Sequence, residues 1–169
     1  MTDAQRDELK KLIEGQGVNL LVRAAEMLHC SELEALREFP AELRRFAPVS
    51  CFRELWNEMV EWGVIGLIMC QHGFSVECKG RLGRLHAHGG MLHFYGEGLA
   101  GHVDPAIVGG VAFVSLPVRG EESHSVRFFD KEGGTIASVY IPRDADGRII
   151  PSGRDAFFDA RSRYEGEEE

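Results

Sequence analysis

The stretch Glu61 to His102, reading EWGVIGLIMC QHGFSVECKG RLGRLHAHGG MLHFYGEGLA GH, decides how this chain folds. The run from Val64 to Met69 is apolar, and glycines at 73, 80, 83, 89, 90, 96, 98 and 101 divide the rest into short pieces. Apolar segments of this length between glycine punctuation predict consecutive antiparallel strands joined by tight turns. Residues two apart on a strand share a face, so Cys70 and His72 point together, and so do His86 and His88. The same window also holds His93 and His102.

Helices precede this window. Leu9, Leu12 and Ile13 recur at helical spacing over residues 3 to 14, and Gly15 and Gly17 end that pattern. A second helix begins near Asn19 with Leu20, Leu21, Ala24, Ala25 and Leu28 on its apolar side. Ser31-Glu32-Leu33-Glu34 is a capping box that starts a third, which runs to Phe39 before Pro40. The spacing predicts a fourth helix from a Ser50 cap to Trp62, with Phe52, Leu55, Trp56, Met59 and Val60 facing a sheet.

After the window, Gly110 to Val118, Ser123 to Phe129 and Thr135 to Ile141 read as strands of a meander, with Asp130 to Gly134 as a hairpin turn. Ser152 to Asp155 opens a terminal helix that frays into a Glu-rich tail. The reading is α+β in one domain over residues 1–169. Residues 1–62 form a mainly helical layer, 63–142 an antiparallel sheet meander, 152–164 a C-terminal helix and 165–169 an acidic tail.

At 169 residues the chain is long enough to bury a core without metal or disulfide staples. Its four cysteines, at 30, 51, 70 and 78, form no C-x-x-C pair and read as reduced thiols of a cytoplasmic protein. The polar start Met1 to Glu8 has no apolar core of a signal peptide, and no run is long enough to span a membrane. A formal charge of −8 argues against nucleic-acid binding. Residues 18 to 39 resemble a helix-turn-helix, but Glu32 to Glu38 is acidic where a recognition helix would meet phosphates, so a regulator is disfavoured.

Soft and borderline ligands on shared strand faces suit a transition metal or haem iron. Gly80-x5-His86-x-His88 opens like a cupin metal motif, yet no glutamate follows at the required distance; His86, His88 and His102 remain a candidate Zn or Ni set. No G-x-S-x-G elbow is present, and Gly96-x-Gly98-x-x-Gly101 precedes no helix, so an enzyme reading is weak.

Five landmarks in order then align with a known family. Phe52-Arg53-Glu54-Leu55-Trp56, Glu61-Trp62-Gly63, Leu85-His86-Ala87-His88-Gly89, Leu99-Ala100-Gly101-His102 and Phe128-Phe129-Asp130-Lys131-Glu132-Gly133 resemble the ChuX/HutX haem-utilisation proteins over residues 18 to 164. The resemblance implies a cytoplasmic haem-binding protein that accepts imported haem and passes it to a haem-degrading or haem-using partner. It implies homodimers, two chains together resembling one tandem-repeat HemS-type protein. A haem-degrading enzyme is the alternative within this reading.

The resemblance also implies ligand positions. Relatives hold iron with a His on the strand after Glu-Trp-Gly, with the His of the Gly-His pair, or with a Tyr after His-x-His-Gly. These fall here on Cys70, His102 and Gly90. His102 is the leading iron ligand. Cys70 serves as a thiolate ligand, is replaced by His72 on the same face, or is a small buried hydrophobe. His86 and His88 orient propionates or are structural, Arg81 or Arg84 pairs with propionates, and Leu99, Ile68 or Met91 lines the macrocycle.

Overall fold

The computed structural model describes residues 1–71 and 74–164; His72 and the tail from 165 onward lie outside the described residues. Three helices, α1 (Asp3–Glu14), α2 (Leu20–Leu28) and α3 (Glu32–Arg37), lead into a short strand, β1 (Arg44–Ala47). Helix α4 (Phe52–Met59) follows, then strands β2 (Ile65–Gln71), β3 (Phe74–Gly80), β4 (His86–His88), β5 (Met91–Tyr95) and β6 (Ala100–Val103). Strands β7 (Gly110–Val114), β8 (Ser125–Phe129) and β9 (Thr135–Tyr140) and helix α5 (Pro151–Ser162) complete the chain.

The strands form two antiparallel sheets where the sequence predicts one. The larger has the order β1-β7-β8-β9-β2-β3, and the smaller the order β4-β5-β6. Strands β7 to β9 make the expected meander, and β1 extends it from inside the segment read as helical. Arg44-Arg45-Phe46-Ala47 is too short and too charged to announce a strand. It pairs with β7 in the register Arg44↔Val114 to Ala47↔Val111 and closes one edge of the sheet.

Each face of the large sheet carries its own apolar cluster. On one side α1, α2 and α3 cover Ala112, Val114 and Phe129 with Leu9, Leu20, Leu21, Ala24 and Leu36. On the other, α4 and α5 pack Phe52, Leu55, Trp56, Met59 and Phe157 onto Ile65, Leu67, Val111, Phe113, Val126, Phe128 and Val139. Side chains along β8 therefore alternate between the two clusters, as period-two strands buried on both faces must.

The capping box at Ser31 forms as the sequence predicts, and a second one forms at Thr2, each with its backbone and side-chain bonds in place. Ser50 does not cap α4. It sits in a 3-10 turn, Val49–Cys51, and the cap position falls on Cys51, whose side chain does not cap the helix. Helix α5 starts at Pro151, whose missing N–H costs nothing at a first-turn position.

Helix α5 is fixed by a buried histidine that the sequence reading passed over. His124 is 5 % exposed. Its Nδ1 lies 2.9 Å from Ser115 Oγ and its Nε2 2.7 Å from Glu122 Oε1, and its ring packs against Phe157 and Phe158 of α5. Arg154 of α5 donates to the same Glu122 oxygen at 2.7 Å. Those bonds from Arg154 and His124 hold the Glu122 carboxyl below its usual range.

Candidate functional site

The small sheet owes its place to α4. Trp56 Nε1 donates to the Gly83 carbonyl at 3.0 Å, and the Leu85 amide donates to Asn57 Oδ1 at 2.8 Å. The Trp56 ring lies 4.9 Å from that of Phe94. Leu82, Leu85, Leu92, Phe94 and Leu99 join the α4 cluster, so one face of the small sheet is buried. At its far end the Arg81 amide donates to the Glu97 carbonyl at 2.9 Å. A Cβ on Gly96 would stand 1.9 Å from the Arg81 carbonyl oxygen, so only glycine admits this crossing.

Burying Leu92 and Phe94 turns their neighbours outward. Partners directly opposite in an antiparallel ladder share a face, and the register is His86↔His93 and His93↔His102. Three imidazoles therefore cross the three strands in one row. His88 joins them diagonally, its ring 6.0 Å from that of His93, and the His93 and His102 rings are 5.7 Å apart. Met91 and Tyr95 flank His93 on the same strand face, Met91 opposite His88 and Tyr95 opposite Ala100.

This face is open. His86, His88, His102 and Tyr95 are exposed, and His93 and Met91 are half-buried. Neutral imidazole nitrogens on such a face donate lone pairs to a borderline metal centre, while the flanking methionine and tyrosine offer apolar contact. No group of three or more His, Cys, Asp or Glu among the described residues has the geometry of a metal-ion cage. The face fits a planar complex that brings most of its own ligands and needs one axial nitrogen, which is the case for haem iron.

Of the expected site residues, the structure gathers His86, His88 and His102, and adds His93 at their centre. It does not gather Cys70. Ile65 and Leu67 of β2 pack toward α4, so Cys70 faces the opposite side of the large sheet, where Glu32 and the half-buried Arg127 are its charged neighbours. Burial and the Glu32 charge raise its thiol above the ordinary value, which keeps it neutral and a poor metal ligand. Ile68 shares that side, and Leu99 is buried in the core, so of the three apolar residues expected at the macrocycle only Met91 lies on the histidine face.

Gly90, at the position some relatives give to tyrosine, has φ +83°. With Gly89 at φ +59° it makes the two-residue turn between β4 and β5, which both strands need in order to align their histidines. Arg81 and Arg84 are held in exposed ion pairs with Glu97 and Glu61. Such surface pairs are worth at most about 1 kcal/mol and exchange readily for another anion. A separate cleft of about 690 Å³ lies between α2, α3 and the β8–β9 turn, but Glu26, Glu32, Asp130 and Glu132 line it, which disfavours an anionic ligand there.

Together the fold and the site define an α+β binding module whose small sheet presents an imidazole-bearing face. The chain matches the haem utilisation ChuX/HutX family over residues 45–159 and belongs to that family. It is 27% identical over 151 residues to the intracellular heme transport protein HutX of Vibrio cholerae, covering 88% of this chain and 78% of that protein. Among solved structures it superposes on ChuX with a TM-score of 0.84 at 23% identity, covering 95% of this chain and 97% of the other. It also superposes on apo-PhuS, a heme-binding protein from Pseudomonas aeruginosa, with a TM-score of 0.76 at 16% identity; that match covers 94% of this chain but 48% of PhuS. At these identities the two structures establish the fold alone.

Proposed function

We propose that this protein is a haem carrier that takes up haem arriving in the cytoplasm and hands it to a haem-degrading or haem-using protein. The observation that carries this reading is the row His86, His93 and His102 on one open strand face, with His102 in the Gly-His pair that serves relatives as an iron ligand. His102 supplies its imidazole nitrogen to the iron. Met91 and Tyr95 contact the macrocycle, and His86, His88 and the arginines at 81 and 84 lie at the border of the small sheet, where propionates would meet water.

Openness suits carriage. A ligand held on a strand face can be approached by an acceptor from the exposed side, so transfer needs no opening of a closed pocket. Family membership and the transport role of HutX favour this reading over haem degradation or a Zn or Ni site. No helix among the described residues is long and apolar enough to cross a membrane.

We also propose that the working unit is a homodimer. The chain spans about half of PhuS, and a second copy supplies the missing half. Cys70, remote from the histidine face of its own chain, reaches a haem only if the dimer brings it to the partner's site.

The test is a hemin titration followed by Soret difference absorption on wild type, His102→Ala and Cys70→Ala. A saturable band near one haem per chain that weakens or shifts in His102→Ala supports the carrier reading, and an unchanged band in Cys70→Ala gives that residue a packing role. Absence of saturable binding by the wild type would refute the carrier reading.

A further inference from the structure

We infer that His93 is a second iron-ligating position, interchangeable with His102, so that the histidine face holds haem in two neighbouring seats. The inference rests on the reading that this face carries haem through His102. It starts from the central position of His93. His93 stands on the middle strand of the small sheet, in register with His86 on one side and His102 on the other, and ring to ring with His88. Its strand is hydrogen-bonded along both edges, so its backbone is the best fixed of the four.

Its surroundings suit a macrocycle better than those of His102. Two residues away on the same face His93 has Met91 and Tyr95, one side chain flexible and apolar and the other aromatic. At that spacing His102 has only Ala100 within its strand, which ends at Val103. His93 is half-buried where His102 is exposed, which limits the rotamers its ring must give up on ligation. The two rings lie 5.7 Å apart with planes inclined by 39°, and no side chain of the face stands between them.

One seat therefore lies about one strand spacing, roughly 4.8 Å, from the other. Iron moves between them by breaking one Fe–N(imidazole) bond and forming another. No electron is transferred, and no proton moves when both rings are neutral. Haem can shift across the face in this way without leaving it, moving between the middle strand and the β6 edge of the small sheet.

The experiment compares wild type, His102→Ala, His93→Ala and the double variant. Each is titrated with hemin and read by Soret absorption and by the resonance Raman Fe–N(imidazole) signature, with His93→Gln as a control that keeps the side chain polar and similar in size. The expected result is that each single variant keeps an imidazole-type spectrum with affinity reduced by about tenfold or less, while the double variant loses the signature and about a hundredfold or more in affinity. Added free imidazole should restore the signature in the double variant. Two results overturn the inference while leaving the carrier reading standing: complete loss of the signature in His102→Ala alone, or its survival in the double variant. If wild type itself binds no hemin, the carrier reading fails and this inference falls with it.

Discussion

Trp56 shows how one side chain ties the core to the site. Its ring is packed between Phe52, Phe94 and Phe128, and its Nε1 satisfies the Gly83 carbonyl just before β4. Phenylalanine at this position keeps most of the apolar contact but leaves that buried carbonyl without its donor, a loss of about 1–3 kcal/mol. Trp56→Phe should therefore lower the unfolding free energy by that amount, seen in urea unfolding as a lower midpoint. It should also weaken hemin binding, because the small sheet loses one of the two hydrogen bonds that fix it to α4. An unchanged midpoint would mean that Gly83 finds another donor. Gly90 marks the opposite constraint. Its φ of +83° costs an L-residue about 1–2 kcal/mol, so Gly90→Tyr, which restores the residue some relatives carry, should destabilise the β4–β5 hairpin in a thermal melt.

At the scale of elements, the attachment of α5 depends on ionisation. Glu122 accepts from Arg154 on the helix and meets His124 Nε2, and these contacts hold its carboxyl below the ordinary value of 4.5. A depressed carboxyl contributes stability that is fully present above its ordinary value and is lost as pH falls through the lower, folded-state value. Stability should thus drop on acidification below about pH 4.5, and Glu122→Gln should flatten that drop. Since Glu122 is 44% exposed and Arg154 43%, the difference should stay within about 1 kcal/mol. Urea unfolding at about pH 6 and about pH 3.5 checks it, and parallel slopes for the two proteins would remove Glu122 as the source.

For the whole molecule, the β2–β3 hairpin poses the question of assembly. In the β2–β3 register Leu67 lies opposite Cys78 and Met69 opposite Val76 on the α4 side, and Phe74 continues this line. Leu67 is buried in the core, but Met69, Val76 and Phe74 are exposed, Phe74 by 70 %. An apolar strip on an edge strand invites pairing with another chain. If the homodimer proposed above forms through this strip, Phe74→Asp should shift the protein toward monomer in sedimentation or light-scattering measurements, with its far-UV spectrum unchanged. A variant that stays dimeric would place the interface elsewhere.

Local patterning sufficed for much of this. The Ser31 capping box, the glycine turns, the alternation of β7 to β9 and the shared face of His86 and His88 depend on interactions within a few residues of one another, and such signals are written directly in the chain. So were the landmarks that relate it to its family. The position of β1 was not legible, because four residues with two arginines become a strand only when β7 offers them an edge. The split into two sheets was equally hidden. It depends on Trp56 and Asn57 reaching residues 27 and 28 positions further on. The same long-range packing made a row of His86, His93 and His102 and turned Cys70 to another face, since which strands pair, and which side of each is buried, is decided by contacts that no local pattern encodes.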